Sequence, residues 1–314
     1  MYDLATERAQ SIVQTIAPGY QLLAVKPTQG SFTNDARILE CGTPGGSHVR
    51  LVVKFLIDEP DSASLCAIAH FHALGLSLAH GVPVPEPVYV DETGGVLGVP
   101  GVVTRFVEGR QVANPRDPVE WAEALADLLL RIHAIHPSEE DRRRLMDGNH
   151  EALHFLRGDW PEKKAGHPLT AGIFSAVREL QSANVSVPAV LIHMDYWHGN
   201  VLWHEGRVSA IVDWDFASYG DPAIDVAYFR MNMYLRGIKA AADIFLRRYE
   251  EGSRGPVQNL GFWELAAAAR PLPDPVRWIP ASREMGDKGA IDERANTDYY
   301  EFVSDAKHRA YGGR

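Results

Sequence analysis

Short runs of alternating apolar and polar residues dominate the first third of the chain. Residues 1–20 have an amphipathic pattern with the period of a helix, and residues 20–57 then alternate between clusters of Gly and Asn. This alternation predicts three short antiparallel strands. Residues 62–81 return to helical spacing and stop at Gly81, where the prolines of VPVPEP forbid further helix. Residues 89–109 complete the predicted sheet as a hairpin with a glycine-rich turn.

From Pro118 onward the apolar positions recur mainly at helical spacing. Residues 119–136, 170–181 and 241–251 each have this period, and residues 296–310 could form a last helix. The pattern therefore predicts an α+β fold. A sheet-rich N-terminal lobe carries one main helix, and a mostly helical C-terminal lobe follows it.

The predicted lobe boundary lies where the pattern changes from strands to helices. We expect an N-terminal lobe over residues 1–107 and a C-terminal lobe over residues 108–314, with a hinge at about residues 105–112. A length of 314 residues is compatible with two such units.

Composition narrows the class of protein. The formal net charge is −10 and no run of Lys or Arg is longer than the three arginines of residues 142–144, which argues against a nucleic-acid partner. The two cysteines, Cys41 and Cys66, lack the spacing of a zinc site or a disulfide framework. The start lacks the features of a signal peptide, and no window has the roughly 18 apolar residues of a membrane span. We therefore expect a cytoplasmic protein with no membrane partner.

Candidate chemistry is concentrated in the stretch LIHMDYWHGNVLW, residues 191–203, which joins two predicted strands. A further predicted strand ends in Asp213, and we expect that end to face the loop. The carboxylates of Asp195 and Asp213 and the amide of Asn200 would then converge. Such oxygen groups suit Mg²⁺ beside a base that accepts a hydroxyl proton, which is an arrangement used in phosphoryl transfer.

The order and spacing of these residues follow a known pattern. His193, Asp195 and Asn200 fit H-x-D-x-x-x-x-N, the catalytic-loop pattern of protein kinases, and Asp213 follows where a second metal-binding Asp is expected. HMDYWHGNVLW and IVDWDFASYGDPAIDVA resemble more closely the aminoglycoside phosphotransferase and choline kinase group of kinase-like small-molecule phosphotransferases. The resemblance covers roughly residues 20–270 and implies a bilobal, protein-kinase-like fold.

The same resemblance implies an activity. Its reaction would be transfer of the γ-phosphate of ATP, or GTP, to a hydroxyl of a small molecule such as an aminoglycoside or a related natural product. Asp195 would be the base, and Asn200 and Asp213 would hold Mg²⁺. A protein acceptor is less favoured, because Asp213 is followed closely by YGDPAID without an activation segment of ordinary length.

Further nucleotide contacts are implied by the resemblance. They are a strand lysine for the phosphates, a phosphate loop, and backbone groups that bond adenine, which correspond to Lys54, to Gly30, Ser31, Thr33 and Asn34, and to Arg105 and Val107. His193 and Asp225 would brace the structure around the loop.

Three positions depart from the family pattern. Met194 and His198 stand where the family usually has Gly and Pro, and His198 is a candidate for substrate contact. His70 stands where the helix normally carries a Glu that pairs with the lysine. Lys54 would then be held less rigidly or be paired by another acid such as Glu59 or Asp61. On this view, a Glu at position 70 should raise or preserve ATP affinity.

Two other classes of function compete with this interpretation. The first is a metal-dependent hydrolase that uses His193, Asp195 and His198, with His204, as transition-metal ligands. The second is a nucleotide-binding pseudokinase with weak or no catalysis. The sequence leaves the acceptor, the choice between ATP and GTP, and the oligomeric state open.

Overall fold

The computed structural model describes residues 4, 6–28, 35–57, 62–284, 286 and 290–312. It forms two compact units, each built from more than one segment of the chain. The first unit contains Met1–Arg110, Arg143–Leu145 and Leu202–Ala217. The second unit contains Gln111–Arg142, Met146–Val201 and Ser218–Arg314.

The first unit is built on a five-stranded antiparallel sheet. Its strands have the spatial order β1-β2-β3-β5-β4. Their bounds, with those of the two helices of this unit, are α1 Thr6–Ile16, β1 Gln21–Pro27, β2 Asp35–Gly42, β3 His48–Phe55, α2 Ala63–Ala79, β4 Pro87–Asp91 and β5 Gly101–Arg105. The sheet and helix predicted from the alternation are therefore present.

Strand β3 shows why this sheet forms. Leu51, Val53 and Phe55 alternate along it and are buried in the core of the unit. Because successive side chains point to opposite faces of a strand, Lys54 lies on the other face from this core. Burial of three large apolar side chains on one face fixes the register, since a slip of one residue would expose all three.

A carboxylate organises the turn between β4 and β5. Asp91 accepts hydrogen bonds from the backbone N–H groups of Gly94, Gly95, Val96 and Leu97 at 2.6–3.0 Å. Burial raises the pKa of Asp91, but these four bonds outweigh it, so that the pKa is lowered. The glycine-rich turn predicted from the sequence is thus held by a buried acid.

A hairpin from later in the chain completes the first unit. Strands β8, Val201–His204, and β9, Arg207–Ile211, pair with each other. Trp203 exchanges two backbone hydrogen bonds with Arg110, and the N–H of Ile211 donates to the carbonyl of Pro83 at 2.8 Å. These bonds bring the segment that follows β9 into the same unit as the antiparallel sheet.

The second unit is mainly helical. Its small sheet has the order β6-β10-β7, with β6 Met146–Asp147, β7 Val190–Ile192 and β10 Ser218–Gly220. Its helices are α3 Pro118–His133, α4 Glu139–Arg142, α5 Gly148–Glu151, α6 Trp160–Lys163, α7 Thr170–Leu180, α8 Ala223–Leu235, α9 Lys239–Ser253, α10 Leu260–Ala268, α11 Ile279–Glu284 and α12 Asp292–Tyr311.

Helix α3 begins where the sequence pattern changes. The Asp117 side chain accepts from the N–H groups of Val119 and Glu120, and Pro118 occupies the first turn.

The predicted α+β fold is confirmed, and the helix predicted over residues 296–310 is present as α12. Within the described ranges, no helix has the length and apolar character that crossing a membrane requires.

Candidate active site

The loop that carries Asp195 lies in the second unit, between β7 and β8. Asp195 is the one residue of the stretch 190–200 that is not buried. Asn200 holds it from within the loop, because its Nδ2 donates to the backbone carbonyl of Asp195 at 2.8 Å and to its Oδ2 at 2.9 Å. The amide oxygen of Asn200 is left available as a ligand by these two bonds. A partly exposed carboxylate is thereby fixed in a buried loop.

A buried carboxylate on α8 anchors this loop. Asp225 accepts hydrogen bonds from the backbone N–H groups of His193 and Met194, each at 2.7 Å. His133 Nε2 lies 3.2 Å from the same carboxylate. The Asp195 N–H in turn donates to His193 Nδ1 at 3.3 Å. The loop is therefore held by side chains on both its sides, which positions Asp195 before any ligand binds.

Met194 explains how a residue other than Gly fits this loop. Its φ is 69°, which is in the left-handed region that favours glycine. The strain is held by two contacts, the bond from Met194 N–H to Asp225 and a bond from Arg270 Nη1 to the Met194 carbonyl at 2.8 Å. The family departure at this position therefore keeps the backbone form that Gly would adopt.

Tyr228 and Arg270 flank Asp195. Burial raises the pKa of Tyr228, and the charge of Asp195 and a hydrogen bond to it raise this pKa further. The Arg270 guanidinium lies over the Tyr228 ring, with Cζ 4.0 Å from the ring centroid. Neither side chain was predicted from the sequence, since neither belongs to the loop motif.

His198 is buried rather than directed at a substrate. It is 0% exposed, and its ring meets Trp197 at 5.1 Å and Trp121 at 5.5 Å between centroids. Among the residues that the structure describes, neither ring nitrogen has a hydrogen-bond partner. Burial and then the charge of Arg236 hold the pKa of His198 well below its usual value, so the ring is neutral. We assign it to packing beneath the loop.

Lys54 is paired within the first unit by two carboxylates. Its Nζ bonds Asp213 Oδ1 and lies 2.8 Å from Asp215 Oδ2. Burial lowers the pKa of Lys54, but the charges of Asp213 and Asp215 outweigh it and the pKa is raised. The lysine is therefore a fixed cation, and Asp213 has a φ of 70° beside it.

His70 also joins this group. Its Nδ1 is 2.9 Å from Asp215 Oδ1, so that Asp215 lies between His70 and Lys54. Burial raises the pKa of Asp215, but Lys54 and His70 lower it by more than burial raises it. The net pKa is therefore lowered and Asp215 remains ionised. The sequence indicated a lysine without its usual acid, whereas the structure supplies that acid from the DWD stretch, residues 213–215. The sequence analysis missed Asp215, as it missed Tyr228 and Arg270.

Some of the nucleotide contacts predicted from the sequence belong to residues that the structure does not describe. Gly30, Ser31, Thr33 and Asn34, and the acids Glu59 and Asp61, lie outside the described residues. Arg105 ends strand β5, and its N–H already donates to the carbonyl of Glu86 at 2.9 Å. Of the adenine contacts predicted here, the carbonyl of Arg105 and the backbone of Val107 are therefore the ones to test.

The histidines of the loop do not form a metal centre. Across the described part of the chain, no group of three His, Cys, Asp or Glu side chains has an arrangement that could hold a metal ion. His193 Nδ1 accepts a backbone hydrogen bond, and His198 is packed between indole rings. This geometry does not favour the hydrolase alternative.

Comparisons with known proteins agree with the resemblance noted from the motifs. The model of the phosphotransferase enzyme family, APH, matches residues 29–260. Hygromycin-B 4-O-kinase from Escherichia coli is 32% identical over 91 residues, which cover 28% of this chain and 27% of that protein. The matched segments span less than a third of the length of the curated relatives, namely 22%, 27% and 16%.

Solved structures share the fold at low identity. Choline kinase LicA from Streptococcus pneumoniae is 14% identical with a TM-score of 0.59, over 96% of this chain and 98% of that one. Its complex with AMP gives a TM-score of 0.61 at 16% identity, over 96% and 97%. The GDP complex of aminoglycoside 2'-phosphotransferase-IIIa is 15% identical with a TM-score of 0.58, over 98% and 100%.

The family model covers most of the chain and includes both the loop of Asp195 and the DWD stretch. The fold of the solved structures extends over nearly the whole chain. This chain belongs to the phosphotransferase enzyme family.

Proposed function

We propose that this protein transfers the γ-phosphate of ATP or GTP to a hydroxyl of a small molecule, such as an aminoglycoside or a related natural product. Family membership supports the reaction class. The structural neighbours described with AMP and with GDP support a nucleotide donor. The names of the relatives support a small-molecule acceptor.

The observation that carries this proposal is the geometry of Asp195. Its carboxylate is partly exposed in an otherwise buried loop and is held by Asn200, with the loop anchored on Asp225. In the proposed reaction Asp195 orients the acceptor hydroxyl and takes its proton as the oxygen attacks phosphorus. A base must reach its proton within hydrogen-bond distance, so this fixed position is part of the mechanism.

The donor is assigned to Lys54 and the oxygen groups. The raised pKa of Lys54 keeps it cationic against phosphate oxygens. Asp213 and Asn200 offer the carboxylate and amide oxygens that Mg²⁺ prefers, and the Asn200 oxygen is not used by its bonds to Asp195. When bound there, Mg²⁺ would neutralise charge on the transferring phosphate.

The remaining assignments belong to the same proposal. We assign nucleotide binding to residues 1–107, and catalysis and acceptor binding to residues 108–314. The contacts with the nucleotide are assigned to Gly30, Ser31, Thr33, Arg105 and Val107. A pseudokinase is less favoured, because Lys54, Asp195, Asn200 and Asp213 are all retained.

Three variants test the proposal. Asp195→Asn should reduce phosphate transfer by about 10²- to 10⁴-fold while nucleotide binding stays intact, since only the proton acceptor is lost. Asp213→Ala should instead weaken binding of the magnesium nucleotide. Asp159→Asn makes the same chemical change at an exposed acid that pairs with Lys163, and should change neither.

The measurements are thermal shift with Mg²⁺ and ATP or GTP, then nucleotide consumption over a panel of aminoglycosides, macrolides, amino alcohols and sugars. Mass spectrometry of the product locates the phosphate. Equal loss of binding and turnover in Asp195→Asn would contradict the assignment of the base. A chain that binds no magnesium nucleotide would contradict the function as a whole.

A further inference from the structure

One of the side chains beside the loop of Asp195, Arg270, carries a positive charge. Arg270 donates to the Met194 carbonyl at 2.8 Å, immediately before Asp195 in the loop, and lies over the Tyr228 ring. Tyr228 bonds Asp195 through its hydroxyl. A phenol ring therefore has the base at its hydroxyl end and a guanidinium over its face. Trp278 meets the same ring edge-on at 6.2 Å between centroids.

A second cation lies behind Arg270. Lys164 is buried, and its Nζ donates to the backbone carbonyl of Arg270 at 2.6 Å. The ammonium also lies 4.6 Å from the Phe155 ring centroid and 5.4 Å from that of Trp160. Burial, with the charges of Arg270 and Arg277, lowers the pKa of Lys164 to about 8. The charged groups that act on this lysine are thus themselves positive.

Anchoring of the loop does not by itself account for this arrangement. A neutral amide could donate to the Met194 carbonyl, and an apolar side chain could pack on Phe155 and Trp160, without the cost of burying a cation. Of the N–H donors of the Arg270 guanidinium, one bonds Met194, and the others have no partner among the described residues. A planar guanidinium near the base, with N–H donors that the described part of the chain does not use, is suited to bind a carboxylate.

We propose that the acceptor is a hydroxy acid whose carboxylate pairs with Arg270 while its hydroxyl meets Asp195. This inference rests on the proposed phosphotransferase function and, among its small-molecule acceptors, favours an organic anion over an aminoglycoside. Lys164, whose Nζ donates to the backbone carbonyl of Arg270, adds a second positive charge close to Arg270. A polycationic acceptor would instead bring its ammonium groups against Arg270, and such like-charge contacts are unfavourable.

The transfer step balances without a further reactant. The acceptor O–H gives its proton to Asp195, and its oxygen forms the bond to the γ-phosphorus. The bond from that phosphorus to the bridging oxygen of the donor breaks, and the nucleoside diphosphate leaves. Arg270 takes no part in this exchange and acts on the position of the acceptor.

The test uses the full chain with Mg²⁺ and γ-labelled ATP or GTP. The probes are hydroxy acids of graded chain length, their methyl esters, amino alcohols of the same lengths, and aminoglycosides, together with a small-molecule cell extract separated by anion exchange. We expect label to enter the acids and the acidic fraction of the extract. Methyl esterification should abolish this transfer, because it leaves the hydroxyl and removes the charge.

Variants separate a role in binding from a structural one. Arg270→Gln should lower kcat/KM for the acid by about 10- to 100-fold, mainly through KM, and Arg270→Lys should restore part of the loss. Arg178→Gln removes one exposed charge from α7 and should stay within about twofold of the parent, since surface changes of this kind have small effects. If the role of Arg270 were only structural, Arg270→Gln would lower kcat by the same factor for every acceptor.

Two outcomes overturn the inference and are distinct. If label entered the methyl esters, the amino alcohols or the aminoglycosides as readily as the acids, the hydroxy-acid acceptor would be refuted. The phosphotransferase proposal would still stand. Failure of the chain to bind magnesium nucleotides, with no label in any fraction, would refute both.

Discussion

His70→Glu tests the arrangement around Lys54 most directly. The family pattern places a glutamate at this position, and from that pattern alone the substitution should preserve or raise ATP affinity. In the structure the place of that acid is already filled, because Asp215 lies 2.8 Å from Lys54 Nζ and 2.9 Å from His70 Nδ1. A glutamate at position 70 would therefore face a carboxylate and not a lysine without a partner.

The magnitude follows from burial and distance. His70 is 5% exposed and Asp215 is 3% exposed, so water screens the pair poorly. Two like charges about 4 Å apart repel by about 4 kcal/mol at an effective dielectric of about 20. Loss of the bond between His70 and Asp215 removes about 1 kcal/mol more, and partial protonation of the new acid offsets some of the sum. We expect the free energy of unfolding to fall by about 2–4 kcal/mol, with weaker nucleotide binding.

The dependence on pH has a definite sign. In this variant, the folded-state pKa of the introduced glutamate should be raised above its unfolded value of about 4.3, because burial and Asp215 disfavour its charge. Its destabilising effect should be absent below that unfolded value and grow as the pH rises through the folded-state pKa. Thermal melts of the variant and its parent over about pH 5–8 would show the difference in Tm widening.

A matched control separates charge from shape. His70→Gln keeps a donor for Asp215 without adding negative charge, and should keep most of the stability and of the nucleotide-induced thermal shift. If His70→Glu matched its parent in Tm and bound nucleotide more tightly, Asp215 would not be the partner of Lys54 in the working protein.

Two further predictions concern the stability of each unit. Asp91→Asn should destabilise the first unit by about 2–4 kcal/mol, since one amide oxygen replaces a carboxylate that accepts four N–H groups. Because the pKa of Asp91 is lowered, its contribution is present above about pH 4 and lost as the pH falls below that; acid unfolding followed by circular dichroism measures it. Lys164→Met should stabilise the second unit by about 1–3 kcal/mol below pH 8. The gain should shrink as the pH rises from about 8 to beyond 10.5, above which the lysine is neutral in both states, because its pKa is about 8 in the folded state and ordinarily 10.5. Thermal melts of Lys163→Met, at an exposed neighbour, provide the comparison, and an equal gain in both variants would refute the reasoning.

Local patterning predicted most of the elements. Alternation over residues 20–57 and helical periods after Pro118 report which face of an element is buried, and burial decides both the sheet and the helices. The spacing of His193, Asp195 and Asn200 marked the loop, because a short loop constrains its own side chains. These signals depend on residues close together in the sequence.

Contacts between distant residues gave no comparable signal. Asp215 and His70 are 145 positions apart, and they meet because the β8–β9 hairpin bonds Arg110 and Pro83 within the first unit. In the sequence, Lys164 is one of two adjacent lysines in a polar segment, which is typical of an exposed residue. In the structure it is buried and bonds the backbone carbonyl of Arg270. Periodicity describes faces of elements, and it does not pair one element with another.

The left-handed residues show how the two groups of site residues are held. Met194 and Asp213 both have φ near 70°, a conformation that costs a residue other than glycine about 1 kcal/mol or more. Met194 immediately precedes Asp195, the proposed base, and Asp213 is itself a proposed ligand of Mg²⁺. Met194 is fixed by Asp225 and Arg270, and Asp213 is paired with Lys54. Because such strain persists only where the surroundings over-determine it, these partners hold Asp195 and Asp213 in place before substrate arrives, and their removal should loosen the carboxylates before it unfolds either unit.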